Sequence, residues 1–252
     1  MIRRTEHGRS SEPAAATPMT AQQRRLFRVT GAAGLATMVL VFVPLIALSG
    51  QEPSFNATAA ETLTFAQSVN SPLGEFGGFV FTVGMVAFLW FVVGLTTLLR
   101  RAEGEPPWRS TIALASGVLL VPLVLTGNSG AAAFRADDID PQIARYAFDQ
   151  GNLSFANGWV VLGSFAVCCG WVITSTGFLP KWLGWWAAAS GVGLVLSRAV
   201  WTSEIWLLPY GMFWLWWIVV AVVLTRRASA RVAEEGLDPL VATDPGDRPA
   251  RG

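Results

Sequence analysis

Six apolar runs, each about as long as a lipid bilayer's hydrocarbon core is thick, leave this sequence few ways to fold. They cover Val29–Leu48, Phe76–Leu99, Ile112–Phe134, Ala156–Gly177, Trp182–Val200 and Ile205–Leu224. An α-helix rising about 1.5 Å per residue needs roughly 20 residues to cross ~30 Å of hydrocarbon. Inside lipid the backbone has no water to bond, so a spanning segment must close its hydrogen bonds internally, and a helix does so. The sequence therefore predicts an all-α, polytopic transmembrane bundle of about six spans. Composition agrees: 14% of residues are charged and 52% hydrophobic, where a soluble domain carries roughly a quarter charged.

Residues 1–28 and 226–252 lack hydrophobic periodicity and carry Arg, Ser, Pro and Asp instead, so they are expected to be disordered tails. Ala47-Leu48-Ser49 looks like a signal-cleavage site. The apolar run before it exceeds the ~7–15 residues of a signal core and follows a long tail, so a retained first helix is expected.

Orientation follows from Lys and Arg, which crowd cytoplasmic loops. With the N-terminus inside, Arg24, Arg25, Arg28, Arg100, Arg101, Arg109, Lys181, Arg226, Arg227 and Arg231 are internal, against Arg135, Arg145 and Arg198 outside. Both termini are thus expected in the cytoplasm, in a bacterial inner membrane. The short link Trp201-Thr202-Ser203-Glu204 must then turn a helical hairpin. One long helix through it would carry the Arg-rich C-terminus outward.

Two outer segments are long enough for structure. Residues 50–75 have no Lys or Arg but contain Glu52, Glu61 and Glu75, and the triplet Asn56-Ala57-Thr58 matches a glycosylation acceptor. In 135–155, Asp140-Pro141 makes a helix start, with Asp capping and Pro in the first turn. Ile143, Ala147 and Phe148 then give either a short interfacial helix or an extension of the fourth span. Small residues four apart (Gly74 and Gly78, Gly184 and Ala188, Ala187 and Gly191) let helix backbones approach closely. Pro44, Pro122 and Pro209 kink or begin spans.

Charge inside a bilayer is costly, so polar groups at span ends mark candidate sites. Arg198 closes the fifth run, Glu204 lies across the turn within pairing reach, and Glu75 opens the second run. Arg145, Asp149 and Asn152 share a helical face leading into the fourth run, with Asn157 beyond and Asn128 and Ser129 near the end of the third. Arg198, Glu204, Asp149, Asn152 and Asn128 could line an outward-facing pocket for a small polar ligand. The plainer expectation, and the preferred one, is that Arg198 snorkels or pairs with Glu204 while the Asn side chains stitch helices together.

Eight of the 12 Trp residues cluster as interfacial anchors (Trp182, Trp185 and Trp186; Trp201 and Trp206) or as a deeper set, Trp214, Trp216 and Trp217, expected to face lipid or pack between helices rather than line an aromatic cavity. The lone His7 lies in the tail, so bis-His haem, His-ligated zinc and a Ser–His dyad lack their central residue. Adjacent Cys168 and Cys169 make no disulfide framework. No Gly-rich phosphate loop or dinucleotide fingerprint occurs, and a net charge of +1 gives no field for nucleic acid. No cofactor, metal or catalytic group is expected.

Leu99-Arg100-Arg101-Ala102-Glu103-Gly104, Asp140-Pro141 with Gly151-Asn152, and above all Thr176-Gly177-Phe178-Leu179-Pro180-Lys181-Trp182-Leu183-Gly184-Trp185 resemble a family of small actinobacterial multi-pass membrane proteins. The likeness covers about residues 75–200. Such families are grouped as domains of unknown function, so the resemblance implies fold and topology and no mechanism. Physically, Gly177 can end one helix, Pro180 begin the next, and Lys181 with Trp182 and Trp185 pin the turn at an interface. The expected function is a non-enzymatic membrane component working through lipid, a membrane-protein partner or self-association. A solute transporter or receptor using the outer polar cluster is the alternative, and a membrane enzyme the weakest.

Overall fold

The computed structural model describes residues 20–49, 52–126, 133 and 135–241. Among them are seven α-helices: α1 (Ala21–Ser49), α2 (Ala59–Val69), α3 (Pro72–Glu103), α4 (Trp108–Thr126), α5 (Pro141–Thr176), α6 (Lys181–Ser197) and α7 (Leu207–Val241). All except α2 are long and apolar enough to cross a membrane.

Several helices start earlier or end later than their apolar runs. Residues 21–28 and 226–241, expected in disordered tails, are helical. The cause at the N-terminal end is a capping box: the Gln23 backbone N–H donates to Thr20 Oγ1 (3.2 Å), and the Thr20 N–H donates to Gln23 Oε1 (3.0 Å). At the other end Arg227 donates through Nη1 to the Phe178 carbonyl (2.7 Å), and Ala228 is buried. The segment after Asp140 is an extension of the fourth span. Asp140 Oδ1 accepts from the Gln142 N–H (2.7 Å), Pro141 fills the first turn, and α5 runs unbroken for 36 residues.

The short link does turn a hairpin. Two single-turn 3₁₀ segments, Arg198–Val200 and Glu204–Trp206, flank its corner and return α7 against α6. At the other end, Gly177 (φ 67°) donates its N–H to the Ile173 carbonyl and closes α5 in the left-handed conformation glycine tolerates. Pro180 then precedes α6, with Trp182 and Trp185 exposed beside it.

The six long helices form a closed ring in which α1 lies on α3, α3 on α4, α4 on α5, α5 on α6, α6 on α7 and α7 on α1. α3 also reaches across to α5. A ring of helices can enclose a channel, but aromatic side chains fill this one. Trp217 stacks on Phe88 (ring centroids 4.9 Å apart) and lies 3.9 Å from Phe91, while Phe165, Phe213 and Trp216 pack around them. All six rings are essentially inaccessible. The outer surface, by contrast, presents Val39, Ile46, Phe79, Trp90, Trp185 and Leu208. Such an apolar belt suits lipid and would be an aggregation liability in water.

The tightest contact is α5 against α6. A Cβ built on Gly163 would lie 2.6 Å from the Gly191 carbonyl oxygen, and one on Gly170 2.4 Å from that of Gly184. Small residues are what let two backbones meet where lipid offers no hydrophobic drive. Gly74 and Gly78 do not make such a pair. Gly74 clears the Val69 carbonyl at the α2–α3 turn, and Gly78 faces open space. Some buried hydroxyls return to their own helix, as Thr96 does to the Val92 carbonyl and Ser197 to that of Gly193. Ser116 and Ser164 instead bond across α4 and α5 at 2.9 Å.

Candidate functional site

One end of the ring collects the residues expected outside. The α2 helix sits there, opened by a second capping box between Thr58 and Glu61. Hydrogen bonds from the Thr58 backbone and side chain hold the Glu61 carboxyl below its ordinary range. Phe65 of α2 packs edge-on against Phe148 of α5, and Gln67 Nε2 donates to the Ala136 carbonyl (3.3 Å). The apolar face of the α5 extension is therefore Ala144 and Phe148, both buried, whereas Ile143 is exposed.

The polar residues of this end do not converge. Arg198 donates through Nε to Asn157 Oδ1 of α5 at 2.9 Å. Glu204 is exposed and, among the described residues, forms no ion pair with Arg198. The geometry of the 3₁₀ corner explains the difference: it turns the two residues onto separate single-turn segments. Asp149 pairs with Arg145 along one exposed helical face (3.3 Å). Eight residues separate it from Asn157, about 12 Å along the helix axis. Asn152 is half-buried between them, and Glu75 is exposed at the start of α3. Asn128 lies outside the described residues. Among the described residues, the polar groups expected to line the pocket form two pairs, Arg198–Asn157 and Arg145–Asp149.

The opposite end holds the more organised polar cluster. Pro107 precedes α4 and has no side-chain acceptor with which to cap it. Glu103, at the end of α3, supplies one across the turn. Its carboxylate accepts the backbone N–H groups of Arg109 (3.0 Å) and Ser110 (2.9 Å), the Ser110 hydroxyl, and Arg109 Nε (2.9 Å). The Glu103 side chain is 2% exposed and that of Arg109 17%. Arg109 Nη1 continues to Ser175 Oγ of α5 (2.9 Å), and its guanidinium sits 5.4 Å from the Trp171 ring centroid. Three helices are locked by one ion pair.

In the sequence, Arg109 stands out only as a basic residue near a span and Glu103 only within the Leu99–Gly104 run, with no motif to pair them. The available signal was an acid six residues ahead of an Arg, with two prolines between and no capping residue at the helix start.

Chemically, this buried carboxylate has its acceptor sites filled, so it holds structure. Among the described residues no group of three or more His, Cys, Asp or Glu is placed to hold a metal ion. The basic residues counted for topology, from Arg24 through Arg100 and Lys181 to Arg227, lie at this same end. Contacts joining Phe27, Phe178 and Arg227 fix the grouping.

A family model described as "Domain of unknown function (DUF4386)" matches residues 29–225. Comparison with curated proteins and with solved structures returns no match.

Proposed function

The chain belongs to the DUF4386 family, and on that footing we propose that it is a non-enzymatic, multi-pass component of a bacterial cytoplasmic membrane, acting through contacts with lipid or with a partner membrane protein. The observation that carries this reading is the filled centre of the ring: six buried aromatic rings occupy the place a solute would need. Among the described residues, the shorter ion pair, Arg109–Glu103, caps a helix, and the outer polar residues form scattered pairs. What remains for contact is the periphery, with its apolar belt and its two chemically different ends.

The test is thermal stabilisation of the purified chain by lipids and by a panel of small solutes, run on wild type and Arg198→Ala. No solute is expected to shift the unfolding temperature of either protein, and a defined lipid or co-purifying protein is expected to do so. A solute shift present in wild type and lost in Arg198→Ala would overturn the reading in favour of a transporter or receptor. That alternative draws its support from the cross-helix Arg198–Asn157 contact.

Orientation is part of the proposal: the basic end faces the cytoplasm, as the positive-inside rule requires. Ser68 on α2 and Arg100 on α3 are exposed at opposite ends. A membrane-impermeant maleimide applied to intact cells is expected to label Ser68→Cys and spare Arg100→Cys. Labelling in the reverse sense would invert the topology.

A further inference from the structure

At the basic end, the start of α1, the end of α3 and the α5–α6 turn enclose a cleft of about 260 Å³, lined by Gln23, Phe27, Leu98, Arg101, Ala102 and Phe178. Its walls are apolar and already built. Phe27 and Leu98 are buried, and the Phe27 and Phe178 rings meet at 6.0 Å. Phe178 is held in place, because its carbonyl accepts from Arg227 and the Arg227 guanidinium lies 6.0 Å from its ring centroid.

The rim is polar and cationic. Arg101 is exposed and has no ion-pair partner among the described residues, since the nearby Glu103 carboxylate is engaged by Arg109. Gln23 uses its carbonyl oxygen in the α1 cap, which leaves its amide N–H groups to donate elsewhere. Over residues 20–229 this end carries nine Lys and Arg side chains against two carboxylates, Glu103 and Glu105.

Depth matters as much as charge. Leu98 lies at the end of the second apolar run and Phe27 just before the first. The cleft therefore sits where hydrocarbon gives way to headgroups. Its volume falls just short of the ~300–1,000 Å³ of drug-sized sites, which suits a headgroup whose chains lie outside.

We propose that this cleft binds the phosphate-bearing headgroup of an anionic phospholipid, with Arg101 meeting the phosphate and Phe27, Leu98 and Phe178 contacting the glycerol and first methylenes. An Arg fork matches phosphate oxygens in geometry as well as charge, and basic pockets between helices at the cytoplasmic face suit acidic lipids. The proposal rests on the reading of the chain as a membrane component that works through contacts.

Native mass spectrometry and thermal unfolding of the full chain in neutral detergent test it, with phosphatidylglycerol, phosphatidylcholine or inorganic phosphate added. Phosphatidylglycerol is expected to remain bound and raise the unfolding temperature. Arg101→Ala should weaken it about tenfold, the order expected for a lost charge-assisted contact. Arg100→Ala, exposed next door but outside the lining, should not. Ala102→Trp keeps every charge and fills the cleft, so it should also lose the lipid. It covers the case in which Arg101→Ala unfolds the protein.

Equal retention of phosphatidylcholine would overturn the proposal, as would equal loss in Arg100→Ala and Arg101→Ala. So would full stabilisation by inorganic phosphate alone. Loss of the lipid site with a protein partner still co-purifying would leave the component reading standing. A solute shift lost in Arg198→Ala would overturn that reading and leave the lipid result untouched.

Discussion

Glu103→Ala is expected to destabilise the folded chain by about 3–5 kcal/mol, the cost of breaking a buried ion pair on one side. Four donors converge on this carboxylate from two residues of α4, and none has another acceptor in the turn. Removing it leaves the first turn of α4 uncapped and the Arg109 guanidinium, 17% exposed, without its counter-charge. Thermal unfolding in detergent measures the loss. Arg109→Ala alone should cost less, because Ser110 and both backbone N–H groups keep the carboxylate. The double variant should recover part of the Glu103→Ala loss, since it no longer strands a buried cation. If Glu103→Ala unfolds within about 1 kcal/mol of wild type, the cluster does not hold the three helices as the geometry implies.

That cluster also marks where sequence reading stops. The six spans were legible because lipid imposes a continuous apolar run, and such a run needs no knowledge of neighbours. The start of α5 was legible for a similar reason: Asp140-Pro141 is a local signal with a local consequence. The capping box at Thr20 and Gln23 is equally local, but it lies ahead of the apolar run, so the run alone starts α1 eight residues late.

What could not be read was pairing across distance. Arg198 and Asn157 are 41 residues apart, and Arg109 and Ser175 66. Glu204, four residues beyond the end of the first 3₁₀ segment, looks the better partner because it is close in the chain. The order of helices around the ring was equally hidden. In water the apolar face of a helix announces which side is buried. In lipid both faces are apolar, and α3 carries buried Leu95 and Leu99 beside exposed Trp90 and Val93. Small residues and ring shapes then decide the packing. Gly184 and Gly191 signalled it correctly, and Gly74 with Gly78 did not.

The centre of the ring gives the second large effect, and it bears on function. Trp217→Ala is expected to cost about 3–5 kcal/mol, the usual range for deleting a large buried aromatic. Trp217 lies against Phe88 and Phe91 of α3 and donates its indole N–H to the Gly34 carbonyl of α1 (3.0 Å), so it ties three helices at the midpoint of the bundle. Trp217→Phe keeps most of the packing and gives up that hydrogen bond, a loss of about 1 kcal/mol. The contrast between the two variants separates a packed interior from a gated one. In a packed interior the alanine variant leaves a cavity lined by Phe rings that stays dry, and stability falls steeply. If the Trp were a gate over a hydrated passage, water would fill the space, the loss would be small, and solute would leak through liposomes carrying the variant. Steep destabilisation with no leak is the outcome expected of a bundle whose core is structural and whose contacts are at its edge.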